Sequence, residues 1–184
     1  MTLDDRIEPL GGETVFEGHT LAVRVERFRH GDGEIVEREV VRRQDAAAVV
    51  AYDDEHVWLV RQPREAIGRY MLEIPAGKLD VDGESPLQTA RRELAEEIGR
   101  EAERWEAVVA YFPSSGYSDE LVHLFAATGL RPSDVEPDPH ERIDVVRWPL
   151  GDLDGAIEES RDAKTVVGLQ WLKLRLLSRQ ESGS

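Results

Sequence analysis

Apolar and polar residues alternate with period two along the first part of the chain. Over residues 20–28, Leu21, Val23 and Val25 fall on one face, the pattern of a half-buried strand. Residues 34–41 follow after His30-Gly31-Asp32-Gly33. The Gly-Asp-Gly cluster supplies positive-φ positions, so the two stretches predict a hairpin. Residues 46–52 (AAAVVAY) and 56–62 predict a second pair of strands, joined by Asp53-Asp54-Glu55. The first of these is apolar on both faces, which predicts a central strand covered on both sides. The period then changes. Leu87, Ala90, Leu94 and Ile98 recur at helical spacing. Ser85 stands where an N-cap belongs, Pro86 at the first helical position, Gln88 three residues after the cap, and Gly99 at the stop. Further strands are predicted over 106–111, 121–127 and 143–148, and helices over 151–159 and 163–178. Strands and helices mix without a strict βαβ rhythm, which predicts an α/β or α+β sandwich. Residues 1–44 are expected to form a small antiparallel β unit, and residues 45–180 the main domain.

A chain of 184 residues suits one domain with a small appended unit. Cysteine is absent, so thiol nucleophiles, disulfides and cysteine-ligated metals are excluded. No apolar run approaches the roughly 18 residues of a membrane span. The opening MTLDDRIEPL has neither the basic nor the apolar region of a secretion signal. A soluble cytoplasmic protein is the expectation. The formal net charge is −15, which repels nucleic acid and anionic membrane and disfavours both as partners. A phosphate-bearing ligand then needs local positive charge, from metal ions or a few arginines. Lysines number 3 and arginines 20. This fits adaptation to high salt or an Arg-rich codon bias, which melting curves in low and multimolar salt separate.

Candidate chemistry concentrates in residues 77–100, GKLDVDGESPLQTARRELAEEIGR. Glu93, Glu96 and Glu97 stand at i, i+3 and i+4 and share one helix face, rotated away from the Leu87/Leu94/Ile98 stripe. Like charges at these spacings oppose the helix by roughly 0.2–0.5 kcal/mol per pair. The face is either a solvated acidic surface or a set of hard oxygen ligands for Mg²⁺ or Mn²⁺.

The full spacing resembles the box of the Nudix hydrolase family: a glycine, five residues, a glutamate, seven residues, then Arg-Glu-apolar-x-Glu-Glu-x-Gly-apolar. Gly77, Glu84 and Arg92-Glu93-Leu94-Ala95-Glu96-Glu97-Ile98-Gly99 follow it. Two positions depart: six residues separate Gly77 from Glu84, and Arg100 stands where an apolar residue is usual. The resemblance implies an α/β/α sandwich with a mixed sheet. It also implies Glu93 and Glu97 as principal metal ligands, with Glu96 and the carbonyl of Ala76 assisting, and Mg²⁺ or Mn²⁺ as cofactor. Arg92 would orient the carboxylates, Glu84 would be an outer member of the site, and Gly77 would let the loop turn close to the helix.

Flanking segments resemble the ADP-ribose and nucleotide-sugar pyrophosphatase branch. They are Val60-Arg61-Gln62-Pro63-Arg64, Leu72-Glu73-Ile74-Pro75-Ala76-Gly77, Ser115-Gly116-Tyr117-Ser118-Asp119-Glu120 and Asp162-Ala163-Lys164-Thr165. Ser115 precedes Gly116 where that branch usually carries proline; the nearby proline is Pro113. The substrate implied is a nucleoside diphosphate sugar, and Arg64, Glu73, Gly77 and Gly116 are the candidate substrate-binding residues. Arg64 either pairs with diphosphate oxygens or is an exposed strand-end charge. Glu73 either holds a ribose hydroxyl or a neighbouring group, or alternates outward on a strand. Phe16, Phe28 and Tyr117 are candidates to stack on adenine, or else pack in the core. The helix glutamates being engaged by metal, the proton acceptor is sought in the loop 131–142, where Glu141 holds the place of a catalytic base; Glu96, or another helix glutamate, is the other candidate. The resemblance also implies a homodimer built through the N-terminal strands. Two other readings stand beside this one. One is a pyrophosphatase for another nucleotide. The other is a non-catalytic module that senses ADP-ribose.

Overall fold

A computed structural model of the chain describes residues 6–135 and 142–182. They fall into two compact units. The first runs through Asp45 and takes in Phe112–Leu121; the second comprises Ala46–Tyr111 and the chain from Val122 onwards.

The first unit is a three-stranded antiparallel sheet in the order β1 (Ile7–Glu17), β2 (Ala22–His30), β3 (Ile35–Arg42). The predicted hairpin is β2–β3, turning through Gly33 at φ +90°. Strand β1 gives no signal in the sequence, because IEPLGGETVFE has no period-two stripe. It is exposed along almost its whole length, and its register slips between Pro9 and Gly12. Glu26 is nearly buried on β2 and is held by Arg42 at 2.5 Å and Arg24 at 2.8 Å. The hydrogen bond from Arg42 leads in holding its carboxyl below the usual range, against the cost of burial. Arg42 also reaches Asp119 at 2.8 Å, which ties β3 to the 112–121 segment. Phe16 and Tyr117 are exposed, so neither packs in a core.

The second unit is built on a mixed sheet in the order β10 (Asp144–Pro149), β5 (His56–Arg64), β4 (Ala46–Tyr52), β9 (Val122–Pro132), β8 (Arg100–Tyr111). Short strands β6 (Arg69–Glu73) and β7 (Ala76–Lys78) pair with β5 and β4. Strands β4 and β9 run parallel, and the other pairs antiparallel. The doubly apolar β4 explains the layering. Ala48, Val50 and Tyr52 pack with Leu153 and Ala156 of α2 (Leu153–Ser160) and Leu169 and Leu172 of α3 (Ala163–Ser182). Ala47, Val49 and Ala51 pack on the opposite face with Ala90, Leu94 and Ile98 of α1 (Pro86–Ile98). The unit is an α/β/α sandwich.

Helix α1 keeps the predicted ends. The Ser85 side chain and Gln88 cap one another reciprocally, and Gly99 closes the helix at φ +63°. Strand β8 starts at Arg100, earlier than the predicted 106. It is an edge strand whose first half, REAERW, alternates with charges rather than apolar residues. Arg100, the departure from the box, lies 4.6 Å over the Trp58 ring. Its cation replaces an apolar contact by a cation–π one. Strands β6 and β7 are too short for a periodic signal, and Pro75 lies between them. Among the described residues no helix is long and apolar enough to cross a membrane.

Candidate active site

The capped helix α1 presents its acidic face inward rather than to solvent. Glu93 and Glu97 are 9 % and 7 % exposed, so the solvated-surface reading of that face fails. Strand β7 lies directly against them. The Glu97 carboxylate accepts a hydrogen bond from the Ala76 N–H at 2.9 Å. A Cβ at Gly77 would stand 1.9 Å from Cδ and Oε1 of Glu93. Glycine here serves close approach of backbone to carboxylate, since any side chain would occupy the carboxyl's own position.

Arg92 gathers the remaining acids. It donates to Glu93 Oε1 at 2.7 Å, Glu96 Oε2 at 3.1 Å and Glu84 Oε2 at 3.3 Å. Its Nη2 reaches the Lys78 carbonyl at 3.4 Å and Asp80 at 3.5 Å. Thr89 donates to Glu84 at 3.0 Å. The longer loop between Gly77 and Glu84 closes in a tight turn, with Gly83 at φ +85° and the Glu84 N–H donating to the Val81 carbonyl at 3.1 Å. The added residue is absorbed without separating Glu84 from Arg92. Burial disfavours the Arg92 charge, but Glu93, Glu96 and Glu84 outweigh it and hold the proton more firmly than in a free arginine.

These donors suit a hard divalent cation: carboxylate oxygens, partly desolvated, on one rigid helix. Their crowding of negative charge is tolerable only beside compensating positive charge. Arg92 supplies part of it. Among the described residues no three acidic or histidine side chains close into a preformed metal cage.

A second ionic group lies on β5, β6 and the start of α3. Glu73 is 1 % exposed, so it does not alternate outward. Arg64 meets it with two hydrogen bonds of 2.6 Å, Nε to Oε1 and Nη2 to Oε2. Lys164 also pairs with Glu73 Oε2, and with Asp162 Oδ1 at 3.1 Å. Asp162 in turn accepts from the Thr165 N–H at 3.0 Å and its hydroxyl at 2.7 Å. The buried Thr165 hydroxyl accepts from the Ile74 N–H at 2.9 Å. Burial raises the Glu73 pKa, but the hydrogen bond from Arg64 and the charge of Lys164 prevail and lower it. The chain between the two groups is short. Glu73 faces Arg64 and Lys164, the Ile74 amide meets Thr165, and the Ala76 amide meets Glu97.

The structure thus brings Arg92, Glu93, Glu96, Glu97, Ala76 and Gly77 together, and joins Arg64 to Glu73. Gly116 belongs to the first unit, in the 112–121 segment. Glu141 lies outside the described residues. Lys164, Asp162 and Thr165 carry no individual signal along the chain. Their signal was the Asp-Ala-Lys-Thr segment itself, placed where a helix begins.

The chain is similar to proteins of one family along most of its length. The NUDIX domain model matches residues 42–174. A methanol dehydrogenase activator from Bacillus methanolicus is 36 % identical over 168 residues, covering 89 % of this chain and 90 % of that one. An ADP-ribose pyrophosphatase from Bacillus subtilis (strain 168) is 38 % identical over 168 residues, with the same coverage of 89 % and 90 %. A solved structure described as an ADP compounds hydrolase superposes with a TM-score of 0.85 at 26 % identity, covering 97 % of this chain and 98 % of that one. With the family model over most of its length and its acidic helix packed against β7, the chain belongs to the NUDIX domain family.

Proposed function

We infer that the protein hydrolyses the pyrophosphate bond of ADP-ribose or a similar nucleoside diphosphate sugar, releasing a nucleoside monophosphate and a sugar phosphate. The observation that carries this reading is the buried Glu93–Glu97 pair on α1, with Arg92 among Glu84, Glu93 and Glu96 and the bare backbone of Gly77 against it. The ADP-ribose pyrophosphatase relative, similar over nearly its whole length, supports the substrate class.

Glu93, Glu97, Glu96 and the Ala76 carbonyl are the residues to hold Mg²⁺, or Mn²⁺ in its place. The bound ion would neutralise the diphosphate and lower the pKa of an attacking water. Arg92 fixes the carboxylates in place, so little reorganisation is needed when substrate arrives. Arg64, oriented by the buried Glu73, faces the diphosphate of the substrate. Water forms a new bond to one phosphorus as the bridging P–O bond breaks, and Glu141 accepts the proton of the water. A homodimer in the cytoplasm belongs to the same reading and rests on the branch resemblance of the flanking segments. The strongly negative chain, at −15, supports a small-molecule substrate over nucleic acid or membrane.

The test is product release from ADP-ribose, ADP-glucose, GDP-mannose, NADH and dATP with Mg²⁺, repeated with EDTA and with Glu97→Gln. Metal-dependent AMP formation from ADP-ribose, lost in Glu97→Gln, is the expected result. Turnover of another member of the panel alone moves the substrate and keeps the chemistry. Silence across the panel overturns the enzymatic reading in favour of a binding module.

A further inference from the structure

We propose that Lys164 is a positioning residue that acts through Glu73 to keep Arg64 able to attract a diphosphate. The proposal rests on the substrate reading above.

The charge balance of the group turns on how much of it is buried. Glu73 is buried, while 41 % of the Arg64 side chain is exposed. Arg64 spends Nε and Nη2 on the two oxygens of Glu73. A two-point grip of this kind fixes the plane of the guanidinium and leaves Nη1 unspent by the pair. Orientation is therefore provided, but at a cost. An arginine facing a carboxylate one to one is neutralised, and an incoming anion gains little from it.

Lys164 changes that balance. Its ammonium pairs with the same Glu73 oxygen, Oε2, that Arg64 Nη2 uses. It shares the negative charge of Glu73, with Asp162 claiming the rest of the ammonium, so Arg64 keeps more positive character on its outer edge than the Arg64–Glu73 pair alone would leave it. The Lys164 side chain is only 16 % exposed and is engaged by Asp162 as well. With its ammonium engaged by two carboxylates, it acts on an anion through Glu73 rather than by contact. The start of α3 fixes this arrangement. Asp162 accepts from the Thr165 N–H and hydroxyl, and the same hydroxyl accepts from the Ile74 N–H, one residue beyond Glu73. Helix α3 and the β6 end are thus held in one register, and the lysine reaches Glu73 without a flexible segment between them.

The effect belongs to binding rather than to the chemical step. Removing Lys164 leaves the acidic face of α1 and its arginine untouched, so KM should rise while kcat stays nearly constant. Loss of one partly screened charge from an anion site corresponds to roughly a tenfold change in affinity.

The experiment compares wild type, Lys164→Gln, Lys164→Arg, Glu73→Gln and the double variant Glu73→Gln/Lys164→Gln. Steady-state kinetics with ADP-ribose gives KM and kcat. Calorimetry with ADP-ribose in EDTA gives affinity without turnover. Thermal melting checks that each protein is folded. Lys164→Gln should raise KM and weaken binding about tenfold, with kcat within twofold. Lys164→Arg should restore both to within threefold. In the Glu73→Gln background, Lys164→Gln should change affinity by less than twofold, because the charge it shares is gone. The double variant also covers the case in which Lys164→Gln alone does not fold, since it leaves no buried carboxylate short of a partner.

Unchanged KM and affinity in Lys164→Gln overturn the proposal. So does an equal loss in the Glu73→Gln background, which would mean that Lys164 acts independently of Glu73, and so does a failure of arginine to restore binding. If wild type neither binds nor hydrolyses ADP-ribose, the substrate reading falls instead. The same series is then run with inorganic pyrophosphate, and equal affinity in wild type and Lys164→Gln removes the proposal on its own terms.

Discussion

Replacing Gly77 by alanine tests whether the packing of β7 against the acidic helix is functional or merely tight. The new methyl carbon would start 1.9 Å from both Cδ and Oε1 of Glu93, and 2.5 Å from Oε2. Real contacts of this kind stay above 3.0 Å, so the carboxyl must withdraw from 1.9 Å to at least 3.0 Å, about 1.1 Å. The atoms in the way are the end of a flexible side chain, not backbone, so the fold can yield. The stability cost is therefore that of a modest overpacking, about 1–3 kcal/mol. The displacement itself is the larger matter. Glu93 holds Arg92 Nη1 at 2.7 Å, and a shift of about 1 Å at a reacting centre costs on the order of 100-fold in rate. Gly77→Ala should thus melt as a folded protein within several degrees of wild type and lose about 100-fold in kcat. Gly151→Ala is the control, since nothing lies within 4 Å of its added carbon. The paired measurements are a melting curve and steady-state turnover of ADP-ribose with Mg²⁺. Turnover of Gly77→Ala within threefold of wild type would refute the argument, because the Glu93 carboxyl could then move by an ångström without consequence.

Three further outcomes follow from the same geometry. Glu141→Gln should lower kcat by about 10²–10⁴-fold, the worth of a general base, while metal affinity by calorimetry stays unchanged; turnover near wild type would discard that assignment. The Glu73 carboxyl titrates below its ordinary value of 4.5, so its contribution to stability is present above that pH and is lost as pH falls through the lower folded value. Denaturant titrations between pH 6 and pH 3, a range of about three units around that window, should show a shallower acid limb in Glu73→Gln than in wild type, and parallel limbs would contradict the pairing. Arg100→Ala should cost about 0.5–1 kcal/mol by loss of the contact over Trp58, read from denaturant midpoints together with a change in tryptophan fluorescence.

What was legible along the chain was whatever a single element decides for itself. Strand β4 announces its burial because seven consecutive residues carry no charge, and the structure covers it with α1 on one side and α2 and α3 on the other. Helix α1 declares both ends through Ser85, Pro86 and Gly99, whose geometry depends only on neighbours within a turn. Strand β1 lies at the other extreme. Its exposed, irregular sequence is held by pairing with β2, and no local pattern reports a partner's hydrogen bonds.

The same distinction divides the two ionic groups. Glu84, Arg92, Glu93, Glu96 and Glu97 fall within fourteen residues and lie on one helix and the loop before it. Spacing alone therefore brings Glu93, Glu96 and Glu97 to one face, although not the burial that separates ligands from a solvated surface. The Glu73 group spans 91 positions between Glu73 and Lys164. Read along the chain, Glu73 is one charge at the end of a short strand, and the outward position is its default. Burying it alone would cost several kcal/mol. That cost makes the inward position impossible until Arg64 and Lys164 are both in reach. The orientation of Glu73 is thus a property of three separate segments assembled at once. The burial of a lone charge in a sequence can be inferred only after its counter-charges have been placed, which is why the lysine at the start of α3 carries information that neither strand holds.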